Sequence, residues 1–405
     1  MNPDKPGLQG IRVLLAVTGS IAAYKAAGWV RELTREEALV SVMMTGAAEH
    51  FISPLTFSAL SGNRVYTSLF DEDPDGVMAH ISLPRENNVL LIAPATAQTI
   101  ARLANGLADD LVSTAVLAAD VPVLVCPAMN ANMFRNQATQ RNIEVVKTLG
   151  YHVLMPDYGE LACGEIGAGR LPGWETVREE LLALFSRQDL SGKKIVITAG
   201  PTREAIDPVR FISNRSSGKM GYALARSARR RGGKVTIISG PVALPAPPGI
   251  DVISVQSARE MEQALFAQGK NADVVIKAAA VADYRPPAVE QHKIKKKEDG
   301  LQLNLVKNDD ILTKFCKQRR PGQVVVGFAA ESRNHKKEGR RKLGQKNVDI
   351  IVVNDILGNK TGFDVDTNKV TLIEQHISRD LPFLSKEGTA NRIIDAVVTK
   401  LGQQQ

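Results

Sequence analysis

The sequence predicts an α/β protein of two domains, each built around a mostly parallel sheet. Short β-branched runs alternate with helical stretches along the whole chain, which is the signature of βα units. Several runs, such as VLLIA at Val89 to Ala93, are apolar without alternation, as strands covered on both faces must be. At 405 residues the chain exceeds one ordinary domain, so two of roughly 200 residues are expected.

In the first half, strands are expected at Ile11 to Val17, Leu39 to Met44, Val89 to Ala93, Pro122 to Cys126 and His152 to Met155, with a helix from about Glu175 to Phe185. The polar stretch SRQDLSGKK then interrupts the periodicity. The pattern restarts with KIVITA, KVTIIS, DVISV, DVVIKA, VVVGF, DIIVV and VTLI, which places the boundary near Leu190 and gives domains 1–190 and 191–405. The second domain opens with a strand, the loop GPTREAIDPVRFISNRSSG and a helix from about Lys219. Met220, Ala223, Leu224, Ser227 and Ala228 give that helix one packing face, and Arg229 to Arg231 followed by Gly232 mark its end. TANRIIDAVVTKLG, with Ile393, Val397 and Leu401 on one stripe, is the closing helix.

Composition narrows the function classes. An apolar fraction of 44% allows real cores, yet no run reaches the ~18 uncharged apolar residues of a membrane span and the N-terminus has no hydrophobic signal region. A cytoplasmic protein with no membrane association is expected. Cys126, Cys163 and Cys316 lie far apart, with neither CxxC nor a His/Cys cluster, which argues against zinc and against a disulfide framework. The net charge of +8 is concentrated in ARSARRRGGK, HKIKKK and HKKEGRRKLGQK, none interleaved with base-stacking aromatics. That pattern favours small anionic ligands over nucleic acid, the plainer alternative being solvated helix ends.

Chemistry-bearing residues gather where strands end. TGSIAAYK, Thr18 to Lys25, puts Gly19 and Ser20 between a strand and an Ala-rich helix, which suits a phosphate monoester or a bare helix cap. It lacks GxGxxG, so a dinucleotide is not indicated. APATAQT adds hydroxyls after the third strand, and CPAMNANMF delivers Asn130 and Asn132, poor strand and core residues, just past a buried strand. ACGEIGAGR surrounds Cys163 with glycines, which reads as a mobile, non-helical flap. His80 alone reads as either a structural histidine or a base. In the second half, the loop carrying Asn214 reads as an anion or nucleotide site, and the lysines of HKIKKK as a solvated loop or a triphosphate lid.

TGSIAAYK, the His80 segment, IAPATAQTIARLANGLADDL, PAMNANMF and ACGEIGAGRL, in that order, resemble the flavin-dependent phosphopantothenoylcysteine decarboxylases. The second half resembles the CTP-dependent phosphopantothenate–cysteine ligases, so that residues 10 to 400 are similar to the bacterial bifunctional proteins of coenzyme A biosynthesis. The resemblance implies a flavoprotein-like doubly wound first domain and a Rossmann-like second one. It implies FMN contacts from Gly19, Ser20, Ile21, Thr45, Thr96, Ala97, Gln98 and Thr99. Asn130 is implied to hold the substrate carboxylate, Met133 to touch substrate, His80 to be the base and Cys163 the late proton donor. An amide orients a carboxylate without the strong ion pair that would oppose CO₂ loss.

For the second domain the resemblance implies that CTP with Mg²⁺ activates 4'-phosphopantothenate as an acyl-cytidylate, which the amine of cysteine then attacks. Asn214 and Lys293 match the catalytic positions. Lys277, Ala278, Ala279, Asp283, Lys293, Asp309, Asp310, Ile311, Leu312, Phe328, Lys342 and Lys346 fall at CTP-contacting ones. A homo-oligomer with trimeric decarboxylase and dimeric ligase contacts is implied as well. Three positions depart from the family pattern: Phe134 replaces Trp, Gln98 replaces Asn, and Asp309 replaces Pro, adding negative charge near the phosphates.

Overall fold

A computed structural model describes residue 4 and residues 7–295, 301–331, 335–355 and 365–403. They fall into two compact units, one of residues 7–184 and one in which residue 4 joins the chain from 185 onward.

The first unit holds a parallel sheet of β1 (Arg12–Val17), β2 (Leu39–Met44), β3 (Val65–Tyr66), β4 (Val89–Ala95), β5 (Val123–Pro127) and β6 (His152–Val153). Its order is β3-β2-β1-β4-β5-β6, so the topological switch lies between β1 and β4. β4 is buried along its whole length, which is why its sequence shows no alternation. The fifth expected strand is shorter than its apolar run, ending at Val153 rather than Met155. The flap expected after it is ordered as an antiparallel hairpin of β7 (Asp157–Glu160) and β8 (Ile166–Arg170). Phe134 is buried in this unit's core with Ile92, Ile100 and Ile143, so the aromatic that replaces Trp serves as packing.

The second unit continues with β9 (Lys194–Ala199), the hairpin strands β10 (Arg203–Ala205) and β11 (Phe211–Ser213), β12 (Lys234–Ser239), β13 (Asp251–Ser254) and β14 (Val274–Lys277). Then come the pair β15 (Tyr284–Arg285) and β16 (Val306–Lys307), β17 (Val324–Glu331), β18 (Ile350–Asp355), β19 (Thr367–Asn368), β20 (Val370–Ile373), β21 (Ser378–Asp380) and β22 (Leu384–Ser385). The main sheet runs β13-β12-β9-β14-β17-β18-β20-β21 and turns antiparallel only beyond β18. Its switch point is between β9 and β14, the crevice in which open α/β sheets take ligands. The expected helices run from Lys219 to Arg230 and from Lys386 to Gly402, and pack against each other over the sheet.

The connection between the units is part of the second core. Leu190 is fully buried among Ile195, Ala228 and Val235. Asp189 holds Arg231 through both carboxylate oxygens, at 2.8 Å and 2.5 Å, and Gln188 donates to the Arg230 carbonyl at 3.0 Å. A fragment starting at Ser191 therefore leaves a hole and an under-paired arginine, whereas one starting at Phe185 retains Leu190 and Asp189. The shorter fragment is expected to be less stable by roughly 3 kcal/mol, the usual cost of deleting a buried leucine. The two urea midpoints measure this, and equal midpoints would refute it.

Candidate active sites

In the first unit, two clefts open at the C-terminal ends of β1, β4 and β5. They measure about 580 and 550 Å³ and share Ser20, Ala128, Met129 and Asn130. Gly19, Thr45, Thr96, Ala97, Gln98, Thr99 and Met133 line the first, while Ile21, Lys25, Cys163 and Arg170 line the second. The turn after β1 must be glycine, because a Cβ on Gly19 would lie 2.6 Å from that of Ala47. Thr18 donates its hydroxyl to the Pro94 carbonyl at 2.6 Å and accepts from the Thr96 amide at 3.1 Å, tying the two loops together. Thr96 in turn caps the helix Ala97–Asn105 by accepting from the Thr99 amide. The Thr45 hydroxyl is buried at the cleft without a partner among the described residues. Buried hydroxyls seek partners, so an oxygen-rich ligand such as a phosphate ester fits this cradle.

Asn130 joins the clefts. Its Oδ1 caps the short helix Ala131–Arg135 by accepting from the Asn132 amide at 2.8 Å, which fixes the amide's orientation. Nδ2 is left facing the hairpin and donates to Glu165 Oε2 at 2.9 Å and to Cys163 Sγ at 3.5 Å. The hairpin comes this close because its contact residues are glycines. A Cβ on Gly167 would sit 2.6 Å from that of Ala131, and one on Gly169 would lie 2.2 Å from the Met129 carbonyl oxygen. Of the three free cysteines, Cys126 and Cys316 are buried and burial pushes both thiols up, Cys316 to about 11. Cys163 alone is exposed. Met133 is half exposed on the first cleft.

His80 stands apart. It lies on the helix Ala79–Glu86, which packs on the helix Leu111–Leu117, and lines neither cleft of its own chain. Its Nδ1 is buried with no partner among the described residues.

In the second unit, the loops after β9 and β14 zip together at the switch point. Ala279 donates to Thr198 Oγ1 and Ala282 to Thr202 Oγ1. Asn214 donates from Nδ2 to the carbonyls of Ala280 (3.3 Å) and Val281 (3.0 Å), leaving its carbonyl oxygen free of them. Lys277 ends β14 with Lys346, Asp310 and Asp283 as its charged neighbours, and Lys346 pairs with Asp310 at 3.1 Å. Burial, reinforced by Lys346 and opposed by the two carboxylates, pushes the Lys277 ammonium down to about 8.

Other positions fall differently from expectation. Ile311 and Leu312 are core residues, so only their backbone remains for a ligand. Ala279 is also buried, whereas Ala278 and Phe328 pack partly buried on the core. Asp309 does not stand as a free charge, because Lys314 Nζ takes its carboxylate at 2.6 Å in a separate cleft with Arg285. Lys342 and Lys346 share the helix His335–Lys346. Lys293 is exposed, and Lys296 and Lys297 of the same cluster lie outside the described residues.

Several residues that organise these sites carry no local signal. Glu165 within ACGE and Lys25 within TGSIAAYK look like ordinary solvated charges. Lys25 is held below its ordinary value by burial and by Arg170. Asp207, within the loop GPTREAIDPVRFISNRSSG, is a buried hub. Its carboxylate accepts from the amides of Val209, Arg210 and Ile294, fastening the loop of Lys293 to the loop of Asn214. Burial works to raise its pKa, but those amides and the Arg210 guanidinium outweigh it and hold the carboxyl below its usual range.

Residues 2–186 match the flavoprotein family, and residues 190–401 match the DNA/pantothenate metabolism flavoprotein C-terminal domain. The coenzyme A biosynthesis bifunctional protein CoaBC of Bacillus subtilis (strain 168) is 45% identical over 395 residues, covering 96% of this chain and 97% of its own. That of Escherichia coli (strain K12) is 45% identical over 401 residues, covering 98% and 99%. The chain belongs to the coenzyme A biosynthesis bifunctional protein family. A crystal structure of the C-terminal domain of a member of this family is 40% identical, covers 53% of this chain and 99% of that one, and has a TM-score of 0.46. As a member, the protein is an enzyme with phosphopantothenoylcysteine decarboxylase and phosphopantothenate–cysteine ligase activities, and its first half is a flavoprotein.

Proposed function

We propose that the second unit joins 4'-phosphopantothenate to cysteine through an acyl-cytidylate made from CTP, and that the first decarboxylates the product on FMN to give 4'-phosphopantetheine. The observation that carries the decarboxylase reading is the Asn130 amide, capped on one side and donating on the other toward Cys163 and a carboxylate.

FMN would be held by Gly19, Ser20, Ile21, Thr45, Thr96, Ala97, Gln98 and Thr99, where it supplies a reversible hydride acceptor. Asn130 Nδ2 holds the substrate carboxylate, and Met133 covers it. Lys25 and Arg170, on the second cleft, offer cations to the phosphate end of the substrate. The imidazole of His80 takes the thiol proton as that end of the substrate is oxidised. Since His80 lines neither cleft of its own chain, we assign it to a site completed by a neighbouring copy, in keeping with a trimeric decarboxylase contact. Loss of CO₂ leaves an enethiolate, and Cys163 Sγ–H supplies the proton that accompanies its re-reduction.

In the ligase, Lys277, Lys293, Lys342 and Lys346 offset charge that builds on the triphosphate, and Asn214 supports the acyl-cytidylate. Among the described residues no group of three His, Cys, Asp or Glu could hold a metal, so Mg²⁺ is assigned to the nucleotide itself. Purified protein should be yellow and should release pyrophosphate from CTP only with phosphopantothenate present. CTP binding should also carry the signature of Lys277, a cation below about 8 that turns neutral above it. Affinity should fall roughly fivefold from pH 7 to pH 9, as a charge-assisted contact weakens. Lys277→Met should bind more weakly at pH 7 and show a flatter profile. An unchanged pH profile in that variant would remove Lys277 from the CTP site.

A further inference from the structure

The contact between Asn130 and Glu165 sets one carboxylate against another. Nδ2 is the face of Asn130 that remains once Oδ1 is committed to the Asn132 amide, so it presents donors only. Those donors are taken by Glu165 Oε2 at 2.9 Å and by Cys163 Sγ at 3.5 Å. Glu165 is exposed at the tip of the β7–β8 hairpin, and its carboxylate has no other partner among the described residues. The hairpin itself is seated on the Asn130 turn through Gly167 and Gly169, and Met129 donates its amide to the Gly169 carbonyl at 3.0 Å. The glutamate is thus delivered to this amide by a built contact.

We propose that Glu165 is an internal competitor for the substrate carboxylate, occupying Asn130 Nδ2 in the free protein and yielding it when a carboxylate-bearing ligand enters. The inference rests on the reading of Asn130 given above. Binding exchanges one charge-assisted hydrogen bond for another of the same kind, so Asn130 contributes less to affinity than its geometry alone suggests. The exchange has a direction in the reaction. While the substrate keeps its carboxylate it can hold the amide; after CO₂ leaves, the product offers nothing in exchange and Glu165 takes the amide back. Glu165 thereby narrows the gap in affinity between the acid and its decarboxylated product, loosening the hold on the acid while leaving the hold on the product unchanged.

The test uses the full flavin-loaded chain and two unreactive probes: phosphopantothenoylserine, which keeps the carboxylate but has no thiol to oxidise, and its decarboxylated ethanolamine counterpart. In calorimetric titrations, Glu165→Ala should bind the serine probe about fivefold more tightly than the unsubstituted protein, the scale of one partly exposed charged hydrogen bond. Glu165→Gln, still an acceptor but uncharged, should show a smaller gain. The ethanolamine probe should bind all three alike. In an Asn130→Ala background, Glu165→Ala should change nothing, which a merely structural glutamate would not satisfy. If Glu165→Ala binds the serine probe no better while Asn130→Ala still abolishes the preference for the acid, the competitor is refuted and the role of Asn130 stands. If Asn130→Ala leaves that preference intact, the reading of Asn130 fails and the competitor fails with it.

Discussion

Cys163→Ser is expected to release CO₂ and return a product one hydrogen molecule lighter than phosphopantetheine. The thiol is the one exposed cysteine of the chain and lies 3.5 Å from the Asn130 amide, to which we assign the substrate carboxylate. In the proposed mechanism oxidation and decarboxylation draw on His80 and Asn130, which the substitution leaves in place. On that reading only the final re-reduction needs a proton from residue 163, and a serine hydroxyl is a far weaker acid than a thiol. Formation of phosphopantetheine should drop by about two orders of magnitude or more, the usual reach of one general acid, with the enethiol accumulating in its place. Mass analysis of products from a single anaerobic turnover distinguishes the two. Ordinary phosphopantetheine at the ordinary rate would take Cys163 out of the chemistry and leave the hairpin as a cover.

The second large effect is a clean division of labour. Asn214→Ala or Lys293→Met should reduce amide formation by roughly a hundredfold or more, since each removes a group that we propose is set against developing charge. Turnover of supplied phosphopantothenoylcysteine should stay near normal in those variants. Asn130→Asp, which puts a negative charge against the substrate carboxylate, and His80→Asn, which removes the base, should do the reverse. Pyrophosphate release and CO₂ release, assayed separately on each folded variant, give the answer. A substitution in one unit that silenced both reactions would contradict one site per unit.

Much of this was legible in the sequence because buried parallel strands advertise themselves. The runs at β1, β4, β5, β9 and β14 are long, apolar and β-branched, and the loops after them carry the polar residues. The hairpin β7–β8 was not legible as strand. Its glycines serve close approach to the Asn130 turn, and glycine weakens every local strand signal. Partnerships were hidden for a different reason. Glu165 meets Asn130 across 35 residues of sequence and Asp207 meets Ile294 across 87, and no local pattern encodes either meeting. Asp309 illustrates the converse, a position that looks like an unbalanced charge in the sequence although Lys314, five residues on, holds it. His80 is hidden in the same way, since nothing in its own segment separates a structural histidine from a base.

The glycine seat beneath the hairpin has a bearing on inhibition. Resistance to an active-site inhibitor usually arises when a contacting side chain is exchanged for another that spoils the fit while sparing the substrate. At Gly167 and Gly169 that route is closed, because any side chain drives into Ala131 or the Met129 carbonyl and lifts Cys163 and Glu165 away from Asn130. A molecule that takes its hydrogen bonds from the backbone of this stretch would leave the organism no neutral single substitution with which to escape it.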